Sequence, residues 1–167
     1  DSQDTIEGRS VALNQDKYSG SALYVQLSRN TEHWKSYVFY RNITPEYQAN
    51  VGFVVKNNRR WGTVFHEYQN FINKKGLQFF SIGTKADVNY TFQDYLKAIS
   101  IDGILGIKTF LNTTIEYTYD WDIFKNYLGR DYRNVGKSEL VIRNNPSESF
   151  SLMIRSTFGK DLAYNEE

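Results

Sequence analysis

The chain has no cysteine and only two histidines among its 167 residues. The absence of cysteine excludes a disulfide framework, thiol catalysis and cysteine-ligated zinc, and His33 and His66 leave little room for a histidine-rich metal site. Charges of the two signs nearly cancel at a formal net charge of +1, so no overall field draws the chain to nucleic acid. No window approaches the roughly 18 apolar residues of a membrane-spanning helix.

Aromatic residues, by contrast, are abundant: 13 tyrosines, 11 phenylalanines and 3 tryptophans make up 16% of the chain. Aromatic and β-branched side chains favour strands, so the composition predicts an all-β protein. The mean hydropathy of −0.58 is that of a polar chain. It does not exclude a membrane β-barrel, because alternating strands average an apolar and a polar face.

The clearest pattern in the sequence is the alternation over Thr114–Ile123. One set of alternate positions is apolar or aromatic: Ile115, Tyr117, Tyr119, Trp121 and Ile123. The other set is polar and mostly acidic: Thr114, Glu116, Thr118, Asp120 and Asp122. A period of two over ten residues predicts a half-buried β-strand, since a helix would mix both classes on one side.

Similar patterns recur along the chain and predict eight to nine strands without a helix. The predicted strands are Ser21–Arg29, Trp34–Arg41, Trp61–Ile72, Leu77–Thr84, Ala86–Gln93, Ile104–Leu111, Thr114–Ile123, Lys137–Arg143 and Phe150–Phe158, with a possible short one at Gly52–Val55. Asp102-Gly103 predicts a two-residue hairpin turn, and Phe124–Gly136 a polar loop. The predicted fold is an antiparallel up-and-down meander over residues 21–167, preceded by a polar leader or loop over residues 1–20.

Two environments fit the aromatic faces of these strands. Segments of about nine to eleven residues, short turns alternating with longer loops, and aromatics near strand ends are typical of an outer-membrane barrel. The aromatics that suit such a girdle are Trp34, Tyr40, Trp61 and Trp121. The alternative is a soluble β-sandwich or lipocalin-like barrel that binds a carbohydrate or another small ligand around an aromatic core. The pattern alone favours neither.

The connection after the second strand resembles a known family. It contains Ile43-Thr44-Pro45-Glu46-Tyr47, Asn50-Val51-Gly52-Phe53 and Asn57-Asn58-Arg59-Arg60. These stretches, and later Asn145-Pro146-Ser147 with the following strand, are similar to a Bacteroidetes outer-membrane β-barrel family of uncharacterised function. Its members usually join an N-terminal domain, similar to a family-nine carbohydrate-binding module, to the barrel. The resemblance implies a transmembrane β-barrel with a structural or transport role in the bacterial outer membrane.

Two departures from that family shape the expectation. The carbohydrate-binding-like domain is absent from this sequence, and the chain ends in Tyr164-Asn165-Glu166-Glu167 where a complete barrel has an aromatic closing strand. We therefore expect a segment of a longer barrel. The expected partners are the lipid bilayer, lipopolysaccharide or carbohydrate, and other outer-membrane proteins, but not nucleic acid.

No residues form a catalytic, cofactor-binding or metal-binding set in the sequence, so we expect neither an enzyme nor a bound cofactor. Glu116, Asp120 and Asp122 share one face, but a solvated or lumenal acidic surface explains them better than a calcium site, which needs ligands on a turn. His66 and Glu67 are adjacent on a strand and therefore point to opposite faces.

Basic residues and tryptophans leave further alternatives open. Arg29, Lys35, Arg41, Arg59 and Arg60 fit solvated strand ends, or else a surface for lipopolysaccharide phosphates or a pore lining. Trp34, Trp61 and Trp121 fit girdle or core positions, or else platforms for sugar rings.

Overall fold

The structure is a computed structural model that describes residues 5–6, 9–10, 20–45, 47, 58–74, 76–147 and 149–160. The possible strand at Gly52–Val55 lies outside the described residues. The ten strands are β1 (Thr5–Ile6), β2 (Arg9–Ser10), β3 (Ala22–Asn30), β4 (Trp34–Ile43), β5 (Arg59–Lys74), β6 (Leu77–Tyr90), β7 (Leu96–Thr109), β8 (Thr113–Tyr127), β9 (Arg130–Ser147) and β10 (Phe150–Gly159). No described residue belongs to a helix long and apolar enough to cross a membrane.

Strands β3 to β10 form one antiparallel sheet in which spatial order follows chain order. Each strand pairs with its neighbour in sequence, so the sheet is an up-and-down meander, and the predicted all-β fold class is confirmed. Strands β3 and β10 are the two edges, and the described residues contain no pairing between them. The sheet is therefore open rather than closed into a barrel.

The first residues contain a feature that the sequence did not predict. Residues 1–20 were expected to be a leader or loop, but Thr5 pairs with Ser10 and Ile6 with Arg9 in a separate two-stranded antiparallel ladder. This pairing is local, because the two short strands contact the main sheet nowhere in the described residues.

The middle of the sheet has fewer and longer strands than predicted. The single strand β6 contains Leu77–Thr84 and the first part of Ala86–Gln93, as far as Tyr90, and the turn follows at Thr91–Tyr95. The predicted hairpin turn at Asp102-Gly103 was wrong, since both residues lie inside β7 and pair with Asp120 and Tyr119 on β8. The apolar alternation continues on both sides of this dipeptide, and the pairing with two flanking strands outweighs the local turn preference.

The loop predicted at Phe124–Gly136 was also wrong. Strand β8 continues to Tyr127 and β9 begins at Arg130, so Leu128 and Gly129 alone form the turn. Their φ angles of +49° and +75° place both residues in the left-handed region, as in a type I′ hairpin. The polar composition of this hairpin marks exposed strand ends rather than a loop.

The register assigns every paired side chain to one of two faces. We call the face of Ile115, Tyr117, Tyr119 and Trp121 the apolar face, and the face of Glu116 and its alternate neighbours the polar face.

The alternation of apolar and polar residues in β8 ends earlier than predicted. Ile123 is an extra residue opposite the step from Ile99 to Ser100, where the β7–β8 register shifts. This bulge turns Phe124, instead of Ile123, to the side of Ile99.

Few described side chains are buried, because the sheet is a single layer. The buried apolar residues among those described are Ile43 and Val141, which are 2% and 4% exposed. Both lie on the polar face. Of the buried polar residues described, Thr63, Gln69 and Ser81 lie on the same face and Ser138 lies on the apolar face. Side chains therefore crowd one another more on the polar face, as expected for a sheet that curves towards it.

The two ends of the sheet differ in their connections. At one end, which we call the turn end, two or three residues separate the strands in all four connections, those after β3, β5, β7 and β9. The other end, the loop end, carries residues 44–58, which lie mostly outside the described residues, together with Thr91–Tyr95 and Leu128–Gly129.

Candidate functional site

The apolar face is the most extended surface feature of the sheet. Large hydrophobic side chains are exposed on it in seven of the eight strands from β3 to β10, the exception being β9, whose Leu140 and Ile142 are half-buried. They are Leu23, Val25, Leu27, Trp34, Val38, Tyr40, Val64, Ile82, Tyr90, Ile101, Leu105, Ile107, Tyr119, Trp121, Leu152, Ile154 and Phe158. Monomeric soluble proteins rarely expose an apolar patch larger than a few hundred Å², so a surface of this extent requires something that covers it.

The exposed side chains form a belt that crosses the strands obliquely. The position of the belt on the two edge strands can be compared on β6, by following residues that pair from strand to strand. On β3 the belt is centred at Val25, and the residues paired in series from Val25 end at Val88 on β6. On β10 it is centred near Ile154, whose row reaches β6 at Phe80. The belt thus drifts by about eight residues over seven strand spacings. At about 3.3 Å per residue and 4.8 Å between strands, this drift means that the strands make an angle of roughly 40° with the line perpendicular to the belt. That angle is close to the angle between strands and barrel axis in membrane barrels.

A small polar patch interrupts the middle of the belt. The ring nitrogen Nδ1 of His66 lies 2.7 Å from the hydroxyl of Ser36, and Thr84 is the next residue in the same row. The indole of Trp34 stacks on the His66 ring with centroids 4.8 Å apart. Ser36 and Trp34 thus give the imidazole a hydrogen bond and an aromatic cover.

The polar face carries a network of charges centred on Lys85. Its ammonium Nζ lies 2.6 Å from Oδ2 of Asp87 on its own strand and 3.1 Å from Oδ2 of Asp102 on β7. Asp87 also accepts hydrogen bonds from the indole N–H of Trp61, at 3.0 Å, and from the hydroxyl of Thr63. A half-buried ammonium between two carboxylates, one of them bonded on three sides, is a charge-compensated structural cluster.

The three acidic residues that suggested calcium do share the polar face, as predicted, but each has a basic neighbour. Glu116 forms an ion pair with Arg143 on β9, and Oδ2 of Asp122 lies 3.2 Å from Nζ of Lys125. Asp120 is paired in register with Lys137. Within the described ranges no three acidic or histidine side chains stand close enough to hold a metal ion.

The histidines do not form acid–base pairs in the described part of the sheet. His66 is on the apolar face and its neighbour Glu67 on the polar face, where the Glu67 carboxylate lies 3.8 Å from Nζ of Lys35. Nδ1 of His33 lies 3.1 Å from the backbone carbonyl oxygen of Gln69. Both imidazoles thus have structural contacts.

The five basic residues grouped by sequence are divided between faces and ends. Arg29 lies at the turn end of the apolar face and Lys35 at the turn end of the polar face. Arg41 and Arg59 lie on the polar face at the loop end, while Arg60 is on the apolar face in an ion pair with Asp94. The structure therefore brings together Arg41 and Arg59 alone.

The tryptophans also divide between the faces. Trp34 and Trp121 belong to the apolar belt, whereas Trp61 lies on the polar face, where the Arg59 guanidinium carbon stands 4.3 Å from its ring centroid. Phe39 meets the Trp61 ring edge-on at 5.4 Å. Trp61 therefore does not join the predicted girdle, because the register places it opposite Arg41 and Asn89.

Sequence reasoning missed the Lys85 cluster and the grouping of aromatic rings with arginines around Trp61. The spacing of Lys85 and Asp87, two residues apart on a strand, is a usable signal for a shared face. Asp102 could not be added from the sequence, since it had been assigned to a turn. The arginines could be separated only by the register between β4 and β5.

Comparisons with known proteins identify no relative of this chain. No family model, curated protein or solved structure matches it.

Proposed function

We propose that this sheet is part of the wall of an outer-membrane β-barrel with a structural or transport role. In this proposal the apolar face contacts lipid and the polar face lines the lumen. The protein is not an enzyme, and its main partner is the bilayer.

The observation that carries the proposal is the oblique apolar belt on the less crowded face. A soluble sandwich or barrel places its apolar side chains on the inner face and its charges outside. Here the crowded face holds the ion pairs formed between strands, and the opposite face exposes Leu, Ile, Val and aromatic side chains. An inverted arrangement with strands tilted by roughly 40° is what lipid outside and water inside require.

The connections and strand lengths support the same orientation. Strands β5 to β9 have 14 to 18 residues, more than the about nine to eleven that a tilted strand needs to cross the hydrocarbon. Uniformly short turns at one end and a long connection at the other are typical of the periplasmic and outer sides. The turn end is thus the periplasmic side in this proposal.

The open edges define what else the proposal requires. Strands β3 and β10 have unpaired backbone groups along their outer sides in the described sheet, and hydrocarbon does not solvate such groups. Each edge must therefore pair with a further strand in the membrane. This requirement agrees with the expectation that the chain is a segment of a larger barrel.

Site-directed spin labelling tests the proposal directly, because a chain without cysteine accepts single labels unambiguously. Ile82→Cys on the apolar face and Met153→Cys on the polar face form a matched pair, since the native side chains are 53% and 58% exposed. Each labelled chain is reconstituted in phosphatidylcholine liposomes. We expect the Ile82 label to collide preferentially with oxygen dissolved in lipid and the Met153 label with a water-soluble nickel chelate.

A label at Tyr95, in an exposed turn, calibrates full contact with water. The membrane assignment fails if the Ile82 label is shielded from both relaxants, which is the result for a closed core. It also fails if the chain stays in solution as a monomer and the Ile82 label prefers the nickel chelate.

A further inference from the structure

The polar face carries a surface of aromatic and basic residues at the loop end of β3 to β5. A structural role in the wall of a barrel does not explain this surface. Five of its residues occupy two adjacent rows of the sheet, one containing Tyr24, Arg41 and Trp61 and the next containing Gln26 and Phe39. Arg59 lies one row further out. We call these six residues the ring–arginine surface.

The rings of this surface support one another in a series. The Tyr24 and Phe39 centroids are 4.9 Å apart, and Phe39 contacts Trp61 edge-on. Tyr24 is 60% exposed, and its hydroxyl is held by the side-chain oxygen of Gln26 at 2.5 Å. An exposed ring that its neighbours hold in place loses little entropy when a flat ligand stacks on it.

The two guanidinium groups differ in how much they are already engaged. Arg59 stacks on Trp61, and its Nε donates to Oδ1 of Asn89 at 3.0 Å. Arg41 is exposed between Tyr24 and Trp61 in the same row, and among the described residues no carboxylate forms an ion pair with it. Two guanidinium groups stand on one face here, and no carboxylate of the described residues forms an ion pair with Arg41, so the surface favours a bound anion.

We propose that the ring–arginine surface binds an acidic oligosaccharide. A sugar ring stacks on Tyr24, while a carboxylate or sulfate group of the same or the next residue pairs with the Arg41 guanidinium. The surface lies on an open single-layer sheet, so it suits an extended chain better than a small enclosed ligand. This proposal concerns the polar face alone and stands whether or not lipid covers the apolar face.

Intrinsic tryptophan fluorescence in detergent solution provides the test, with trigalacturonate and a sulfated trisaccharide as separate acidic probes and maltotriose as the neutral one. We expect saturable binding of at least one acidic probe, and maltotriose weaker by about tenfold or more, because a charge-assisted hydrogen bond is lost. Isothermal titration provides a readout that does not depend on Trp61.

The variants Arg41→Gln and Tyr24→Ala change exposed side chains and should leave the fold intact. Each is expected to weaken binding of the acidic probe about tenfold or more. Arg155→Gln is the matched control, an exposed arginine on the same face at the opposite edge, and it should bind like the wild type. The proposal is overturned if neither acidic probe binds, if Arg41→Gln binds as tightly as the wild type, or if Arg155→Gln weakens binding equally.

Discussion

Tyr119 on β8 covers the backbone of Gly136 on β9, diagonally across the apolar face. A Cβ atom added at Gly136 would stand 2.6 Å from the Tyr119 hydroxyl oxygen and 3.2 Å from Cζ. The glycine thus provides the space in which the ring lies flat against the sheet. Substituting it would force the ring away from the position in which it packs.

We therefore expect Gly136→Ala to lower the free energy of unfolding by up to about 1 kcal/mol, the lower end of the range for overpacking, because the Tyr119 ring is partly exposed. The control is Gly103→Ala, on the same face with nothing within 4 Å of its added Cβ, which should be neutral. Urea denaturation in detergent measures both. If the cost of Gly136→Ala persists in a Tyr119→Ala background, the contact between the two residues is not its cause.

A charge placed in the apolar belt provides a test of stability in the membrane. Leu105 lies within the belt on β7, and we expect Leu105→Lys to cost about 2–4 kcal/mol of unfolding free energy in lipid near the bilayer midplane. Met153→Lys, on the polar face, should change it by no more than about 0.5 kcal/mol. Equal effects at the two positions in liposome unfolding experiments would contradict a lipid contact for one face alone.

The Lys85 cluster predicts energetic coupling between strands β6 and β7. In a double-mutant cycle of Lys85→Gln and Asp102→Asn, we expect a coupling energy of about 1 kcal/mol, since the partly buried ammonium serves two carboxylates. The pair Lys35–Glu67, longer at 3.8 Å and with a nearly half-exposed lysine, should give less than about 0.5 kcal/mol. A larger coupling for Lys35–Glu67 would mean that the cluster is no tighter than an ordinary surface pair.

The turn at Leu128–Gly129 predicts a stabilising substitution. Leu128 has a φ of +49°, a conformation that costs a bulky residue about 1 kcal/mol or more and that asparagine tolerates. Leu128→Asn should therefore raise the unfolding free energy by up to about 1 kcal/mol. Leu111→Asn, in an exposed turn without this backbone conformation, should bring no gain. Thermal denaturation distinguishes the two, and a gain at Leu111 alone would contradict the argument from φ.

The alternation of side chains predicted the strands and the meander because it is a local property of the chain. It predicted Thr114–Asp122 correctly, since nine consecutive residues keep the same period. It failed at Ile123 because a bulge depends on the partner strand β7, where the register shifts by one residue. It failed at Asp102-Gly103 because two flanking strands pair with this dipeptide, and a single sequence does not reveal them.

The surfaces were predictable only in part, for a similar reason. Glu116, Asp120 and Asp122 were assigned to one face, and the structure agrees. Their basic neighbours come from β9 or from the far side of the bulge. The sequence alone therefore did not reveal that basic side chains already stand beside these carboxylates. The pairing of Tyr24 with Arg41 and of Arg41 with Trp61 depends on two registers, which explains why the ring–arginine surface was not recognised.

The meander topology has a consequence for how such a sheet varies in size. Within the described residues every strand of the main sheet contacts only the strands adjacent to it in the chain. A hairpin can therefore be added or removed beside β3 or β10 while the other strands keep their order and their connections. The number of strands is set by how many hairpin units the gene encodes, and duplication of one unit would enlarge the sheet in a single genetic step.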